Sequence, residues 1–359
     1  MPEPLADSAA PVLEAVHVTK HFPVHGGQGA GRFDSMRRRV VHAVEDASLG
    51  LYAGQVTALV GESGSGKSTL ARILAGLYRR TSGEVLLRGR PVRTNHGRAF
   101  RRHVGEVQLI LQDPYGSFNP MLRVSTHLER AVRIHEPRHE PRHEPRHGGD
   151  ALLARTTELL EQVNLSPARQ FLDKYPHELS GGQLQRVSIA RALAARPSVI
   201  LADEPVSNLD VSIRLGVLNL LAELTSADRV ALLYVTHDVA SARYFARETA
   251  VMYAGQLIES GPSEQVTSDP AHPYTRLLVS SAPDPARRAP REQLQDTGQP
   301  PSLISPPAGC RFHPRCPLVM QRCTTQAPPR FELGGGHWAR CWLFQSAVSS
   351  DITKEKPAT

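Results

Sequence analysis

The chain contains two glycine-rich segments suited to holding an anion, and more than a hundred residues separate them. The first, GESGSGKST, runs from Gly61 to Thr69 and matches the pattern G-x4-G-K-S at every defined position. Such glycines let the backbone N–H groups of Gly61, Glu62, Ser63, Gly64, Ser65 and Gly66 turn inward around phosphate oxygens, at the positive end of a following helix. Lys67 is then the group that reaches the β- and γ-phosphates, Ser68 offers a hydroxyl to Mg2+, and Thr69 completes the segment. A glycine loop that merely turns the chain is the bland alternative. Strand-like residues before it and helix-like residues after it favour the phosphate cradle.

A phosphate cradle needs an acidic partner before it can hydrolyse ATP. The run SVILADEP supplies one, an apolar strand delivering Asp203 and Glu204 at its C-terminal edge, where α/β folds place ligands. Asp203 can hold Mg2+ through water, and Glu204 is placed to orient and polarise the attacking water. Thr236-His237-Asp238 ends the next strand at the same edge, where an imidazole can donate a hydrogen bond to the γ-phosphate or the water. Alone, an acidic pair or a histidine after a strand reads as a cap. Beside a P-loop, both read as chemistry.

The second segment, ELSGGQLQRVSIARAL, puts Ser180-Gly181-Gly182 before a helix beginning near Gln183, so it too offers free N–H groups and a positive helix end. The P-loop already surrounds one side of a nucleotide, so the second cradle gains a purpose in another molecule's site. Two chains arranged head to tail would enclose two ATPs, each between one P-loop and one opposing Ser-Gly-Gly.

The elements that must position these groups are legible in outline. Val12 to Lys20 alternates as a strand, a Gly-rich and then Arg-rich stretch from Gly26 to Arg39 reads as a mobile loop, and Leu70 to Leu77 follows the P-loop as a helix. QDPYGSFNP, from Gln112, is rich in turn formers, and helical patterns follow at Val124 to Ile134, Ala151 to Asn164 and Leu184 to Ala195. Ser198–Ala202 and Ala231–Thr236 read as apolar strands. Apolar strands alternating with helices predict a mostly parallel sheet covered on both faces. Between two of the helices lies HEPRHEPRHEPRH, with His135, His139, His143 and His147 at i, i+4. Pro137, Pro141 and Pro145 forbid the helix that would turn them into a metal stripe, which favours a solvated, disordered loop.

At 359 residues with a formal charge of +7, the chain has room for a large core, and its basic residues are interspersed with acidic ones. Charge alone is therefore weak support for nucleic acid or anionic lipid as a partner, and nucleic acid is not expected. The opening MPEPLADSAAP lacks the charged start and apolar core of a signal peptide, and no run reaches the roughly 18 apolar residues of a membrane helix. Membrane association is expected through partners. Pro and Arg rise from Pro283 to Pro307, as in a linker, before a compact Cys-containing unit.

Taken together, these motifs resemble the nucleotide-binding subunits of ATP-binding cassette transporters over most of the chain. The resemblance identifies Gly61–Thr69 with the Walker A segment, Val199–Glu204 with Walker B, and Leu179–Gln183 with the family signature. It implies that Ser180, Gly181, Gly182 and Gln183 contact ATP in trans, and that Gln112 is the Q-loop glutamine, touching Mg2+ and coupling the site to membrane partners. His237 resembles the switch histidine. Ser207–Asp210 resembles the D-loop, with Asp210 at the interface and Asn208 where Ala is common. Phe22 sits where the family places an aromatic that stacks on adenine. FHPRCP, GPSEQVTSDPAHPYTRLLVSSAP and QDPYGSFNPM narrow the likeness to ATP-binding subunits of dipeptide, oligopeptide and nickel importers; the HEPR repeat lies outside that pattern.

The implied fold is an α/β P-loop NTPase (RecA-like) core with a mixed sheet over residues 1–275. A helical subdomain is inserted at about 112–184, a Cys-containing extension spans 276–345, and 346–359 form a disordered tail. The implied function is an ATPase energising peptide import, with nickel or another small solute as the alternative cargo. Its partners would be a second ATPase subunit, two transmembrane permease subunits and, through them, an extracytoplasmic binding protein, with the chain at the cytoplasmic face of the membrane. A ribosome- or DNA-directed ATPase of the superfamily would carry two cassettes or a coiled coil. A non-hydrolysing regulatory subunit would lack Glu204 or His237.

Cys310-x5-Cys316-x6-Cys323-x17-Cys341 holds all four cysteines of the chain. Four thiolates converging from such positions can hold an iron–sulfur cluster or zinc, and spacing alone does not choose; free buried thiols remain a third reading. The resemblance implies a [4Fe–4S] cluster. His313 and His337 read as supporting or surface groups.

Overall fold

The computed structural model describes residues 10–24, 39–92, 97–135, 149–281 and 298–345. Residues 136–148, with most of the HEPR repeat, lie outside the described residues, as do 346–359, most of the Gly/Arg-rich stretch and the first part of the Pro/Arg-rich linker.

Two sheets organise the chain. Strands β1 (Leu13–Pro23), β2 (Val40–Leu51), β4 (Ser82–Leu87) and β5 (Arg90–Pro91) form an antiparallel sheet in the order β2-β1-β4-β5. The larger sheet has eight strands, ordered β11-β12-β10-β9-β3-β8-β7-β6. Its parallel centre comprises β3 (Val56–Val60), β6 (Val107–Ile110), β7 (Val199–Asp203), β8 (Ala231–Thr236) and β9 (Glu248–Tyr253). Every residue of β3, β7 and β8 is buried, as expected for strands covered on both faces.

Alternation along these strands divides the core in two. Ala58, Val60, Ala202 and Tyr234 face helices α6 (Gly181–Leu193) and α7 (Val211–Ala227) in one cluster. Leu59, Leu201, Leu233 and Val235 face α1 (Lys67–Leu74) and the antiparallel sheet in the other. Helices α3 (Val124–His135), α4 (Gly149–Gln162) and α5 (Arg169–Leu172) pack with α6 as a helical layer, and α2 (Arg98–Glu106) precedes β6.

The remaining strands, β10 (Gln256–Pro262), β11 (Phe331–Gly334) and β12 (His337–Ala339), are antiparallel. Glu259 pairs with Ala339 and Ser260 with Trp338. The Cys-containing extension, expected as a unit after a linker, thus continues the core sheet; it covers an edge strand that would otherwise present unpaired backbone groups. Helices α8 (Val239–Phe245), α9 (Ser263–Ser268) and α10 (Pro273–Ser280) complete the described elements. Among the described residues no helix is long and apolar enough to cross a membrane.

Strand register places the chemistry. Val60 of β3 pairs with Thr236 of β8, Asp203 of β7 pairs with Val235, and Ile110 of β6 pairs with Ala202. Four parallel strands therefore end nearly level, and the next residues Gly61, Glu204 and His237, with Gln112 two positions past Ile110, emerge along one edge.

Candidate active site

The P-loop follows β3 directly, and its glycines are required by geometry. Gly61 (φ +152°) and Gly66 (φ +108°) lie where L side chains are strained, and a Cβ would run into the carbonyl oxygens of Met252 and Ala43 respectively. Ser63 and Gly64 at the tip are exposed, while Ser65 and Lys67 are buried. The Lys67 ammonium donates to the carbonyls of Gly61 and Glu62, each at 2.8 Å. Burial lowers its pKa, and the charges of Glu204, Asp203 and Glu62 oppose that shift. Thr69 lies in the first turn of α1.

Ser68 Oγ donates to Asp203 Oδ1 at 2.7 Å, joining the P-loop helix to the end of β7. Asp203 is 2 % exposed. Burial raises its pKa, against the pull of the Ser68 hydrogen bond and Arg72, whose guanidinium lies 3.9 Å away. A hydroxyl and a carboxylate side by side make a hard oxygen pair suited to Mg2+. Glu204 has φ +48°, a strained conformation for a non-glycine residue, and its N–H donates to the Val235 carbonyl at 3.0 Å. Its carboxylate meets Gln112 Nε2 at 2.9 Å and His237 Nδ1 at 3.4 Å. Gln112 also reaches Ser207 Oγ at 3.4 Å, which ties the start of the helical segment to the turn after β7.

Phe22 is half-buried at the end of β1. Its ring meets Tyr78 edge to face at 5.5 Å, with Lys20 Nζ 4.6 Å from the ring centroid.

The signature lies in the helical layer. Ser180 Oγ accepts from Gln183 N at 3.3 Å and Gln183 Oε1 accepts from Ser180 N at 3.1 Å, a reciprocal capping box that starts α6 two residues before the sequence pattern suggested. Gly182 is buried against Ile213 of α7, which leaves no room for a Cβ. Ser180 is exposed, and Asp210 is the N-cap residue of α7 without a side-chain cap bond. Among the described residues no hydrogen bond or ion pair joins Ser180, Gly181, Gly182, Gln183 or Asp210 to the P-loop of the same chain. The Q-loop segment does reach the signature: Tyr115 OH donates to the Leu179 carbonyl at 3.3 Å, and Arg191 of α6 donates to the Ser117 carbonyl at 2.7 Å.

Partners of Glu62 escaped the sequence reading. Arg315 holds both of its carboxylate oxygens at 3.0 Å. Its N–H donates to Tyr274 OH at 2.8 Å. Both partners lie within importer-like segments, FHPRCP and the one containing PYTRLL, but nothing in those strings says where they dock.

All four cysteines line one small pocket, with Phe312, Leu318, Met320 and Trp342 among its walls. None is in a disulfide. Burial pushes Cys310 up to about 12 and Cys341 up to about 11, and each also feels the other thiols. Among the described residues, His21, His42 and Glu45 place three potential ligand atoms within 4.8 Å of one another. At this cluster, Arg311 lies 3.3 Å from the same Glu45 oxygen that the two histidines meet. His313 lines the thiol cavity. His337, read as a supporting or surface group, is buried, with Nε2 2.8 Å from Glu259 Oε1.

A parallel sheet whose carboxyl edge carries a P-loop, an acidic strand end and a histidine defines a P-loop ATPase of the cassette type. Residues 44–207 match the ABC transporter family, and residues 258–323 match the C-terminal region of oligopeptide/dipeptide transporters. A probable peptide ABC transporter ATP-binding protein of Sinorhizobium fredii is 40 % identical over 347 residues, covering 95 % of this chain and 92 % of that one. The dipeptide transport ATP-binding protein DppF of Escherichia coli is 36 % identical over 348 residues, covering 96 % and 97 %. Among solved structures, the dimeric bacterial ABC transporter cassette MJ0796 superposes with a TM-score of 0.58 at 26 % identity, covering 70 % of this chain and 98 % of that chain. The chain belongs to the ABC transporter ATP-binding proteins, in their oligopeptide and dipeptide branch.

Proposed function

We propose that the chain is the ATP-hydrolysing subunit that energises peptide import across the cytoplasmic membrane. The observation that carries this reading is the contact chain at the sheet edge: Ser68 to Asp203, then Glu204 to Gln112 and to His237. In the proposed site Gly61 to Thr69 cradle the phosphates of Mg-ATP, and Ser68, Asp203 and Gln112 supply oxygen ligands to its metal. Glu204 takes the proton of the attacking water, held in place by Gln112 and His237, and Phe22 stacks on the adenine. Ser180, Gly181, Gly182, Gln183 and Asp210 complete the site of a second ATPase subunit, so that closure and turnover coincide. A dimeric cassette, MJ0796 bound to ADP and Pi, is similar to this chain at 27 % identity and a TM-score of 0.57, which supports the pairing. The link from Gln112 through Tyr115 to Leu179 is the route by which closure would reach two transmembrane permease subunits. An extracytoplasmic binding protein would deliver the peptide to those subunits, and the chain would sit at the cytoplasmic face.

The same reading assigns a [4Fe–4S] cluster to Cys310, Cys316, Cys323 and Cys341, supported by the one pocket that all four thiols line. When bound, a cluster supplies a rigid cross-link and an electron-accepting centre. The chain's own contribution is the apolar wall around the thiols.

The test is Glu204→Gln in the full chain. It keeps the hydrogen-bonding shape and removes the base, so ATP binding is retained while turnover falls by about 10²- to 10⁴-fold. ATP then traps a dimer visible by size-exclusion chromatography. Undiminished hydrolysis removes Glu204 from this role, and a monomer at saturating ATP removes the shared site.

A further inference from the structure

Residues 310–316 form one compact turn with two outlooks. Its backbone is tied by Cys310 N to the Cys323 carbonyl at 2.8 Å, His313 N to the Cys310 carbonyl at 3.0 Å and Arg315 N to the Phe312 carbonyl at 3.0 Å. Cys310 and Cys316 open into the thiol cavity. The arginines immediately inside them run towards the nucleotide site. Arg315, 5 % exposed, grips both carboxylate oxygens of Glu62 within the P-loop. Arg311 donates to the carbonyl of Ala254 and to Glu45, and the neighbouring Gly255 N–H donates to the Ser65 carbonyl at 2.8 Å. One turn therefore holds both shoulders of the phosphate cradle, Glu62 directly and Ser65 through the β9–β10 turn.

The pin on Glu62 is stiff. A bidentate guanidinium–carboxylate pair fixes orientation as well as distance. Arg315 Nη1 also lies 3.4 Å from Tyr253 OH, and its guanidinium carbon lies 5.8 Å and 5.9 Å from the ring centroids of Tyr253 and Phe312. A shift of Cys310 or Cys316 moves Arg315, and Arg315 cannot move without carrying Glu62 or breaking the pair.

We infer that Arg315 is a positioning residue of the P-loop and that, through it, the chemical state of Cys310 and Cys316 and the nucleotide occupancy of Gly61–Ser68 are energetically coupled. The inference rests on the reading of the P-loop as the ATP site and deepens it by naming a regulatory input. Coupling of binding free energies is reciprocal, so a change at the cysteines that shifts nucleotide affinity implies that nucleotide shifts the conformational equilibrium at the cysteines, which their alkylation rate reports.

The experiment uses the full chain, freed of any bound iron by chelation under reducing conditions and kept without oxygen, so that all four thiols can react. Alkylation of each cysteine by iodoacetamide is followed by mass spectrometry of peptides, with and without a saturating Mg2+ complex of a non-hydrolysable ATP analogue. Binding of the analogue is measured on the same samples by fluorescence polarisation. The expected result is at least about fivefold slower alkylation of Cys310 and Cys316 with nucleotide, the lower end of ordinary coupling. Arg315→Met and Glu62→Gln are each expected to bring that ratio below about twofold. Equal rates with and without nucleotide in the wild-type chain overturn the inference even if neither variant folds, and so does an unchanged ratio in folded Arg315→Met. Absence of nucleotide binding in the wild-type chain is a different outcome, and it overturns the ATP-site reading itself.

Discussion

Burial of His272 predicts a measurable acid sensitivity in the segment that supports the P-loop. This imidazole is the N-cap of α10; its Nδ1 accepts the Tyr274 N–H at 3.0 Å, and Tyr274 in turn receives the Glu62 N–H. Burial lowers the pKa of His272 from 6.5 to about 4, although the charge of Glu259 opposes the shift; Arg276 adds to it. The folded state therefore holds a neutral imidazole over a range in which the unfolded chain binds a proton. Stability from this group is fully present above pH 6.5 and is lost as pH falls towards 4. A shift of about 2.5 units corresponds to about 3 kcal/mol over the whole range, of which about 2 kcal/mol is lost between pH 7 and pH 5. His272→Asn preserves a capping acceptor and removes the titration. Urea unfolding of both proteins at pH 7, 6 and 5 is the assay, and other titrating groups cancel in the difference between the two profiles. The variant starts less stable through lost packing, yet it loses about 2 kcal/mol less than wild type on going to pH 5. Parallel profiles would refute the argument.

Two further outcomes follow from the geometry. Phe22→Ala weakens ATP binding by about 1–3 kcal/mol, the range for a base stacked on an aromatic ring, while Phe22→Tyr leaves it nearly unchanged; equilibrium titration with a fluorescent ATP analogue reads both. Protein purified without oxygen contains about four irons per chain and absorbs in the visible, whereas Cys316→Ser loses both signals; a colourless, iron-free wild-type preparation removes the cluster.

What the sequence disclosed and what it concealed divide by the range of the interaction. The P-loop was legible because its requirements are local: Gly61 and Gly66 must be glycine where φ is positive and the backbone approaches closely. The ends of β7 and β8 were legible because short apolar runs stop at polar residues, and sheet register then sets Asp203 and His237 along one edge. Of the antiparallel sheet only β1 was read as an alternating strand; β2 pairs with it through register shifts between Leu49 and His42, so its own apolar residues do not alternate strictly. The bond from Arg315 to Glu62 spans 253 positions and follows from how the extension docks, which no local pattern encodes. His337 was misjudged for the same reason. A histidine near a cysteine cluster looks like a supporting group until the β10–β12 pairing sets it on Glu259, a buried carboxylate that also accepts the backbone N–H groups of Ala271 and His272.

The chemistry of Ser180 explains why a serine would suit a helix start that, in the proposed shared site, also meets another molecule's nucleotide. The capping bond uses a lone pair of its hydroxyl, accepting from Gln183 N, and leaves the O–H proton free to donate. Aspartate would cap α6 equally well, but would set a negative charge against an incoming phosphate. Asparagine would cap as well and keep a donor, but on a longer, branched amide. Serine keeps the helix capped before the anion arrives and does not give up that bond when it does. Gly181 and Gly182 extend the same logic, since Gly182 must pass beneath Ile213 without a side chain, and the N–H groups of a helix's first turn have no partner further along the helix. The capped start of α6 is thus formed within a single chain, and in the proposed shared site a second chain would add the phosphate, not the fold.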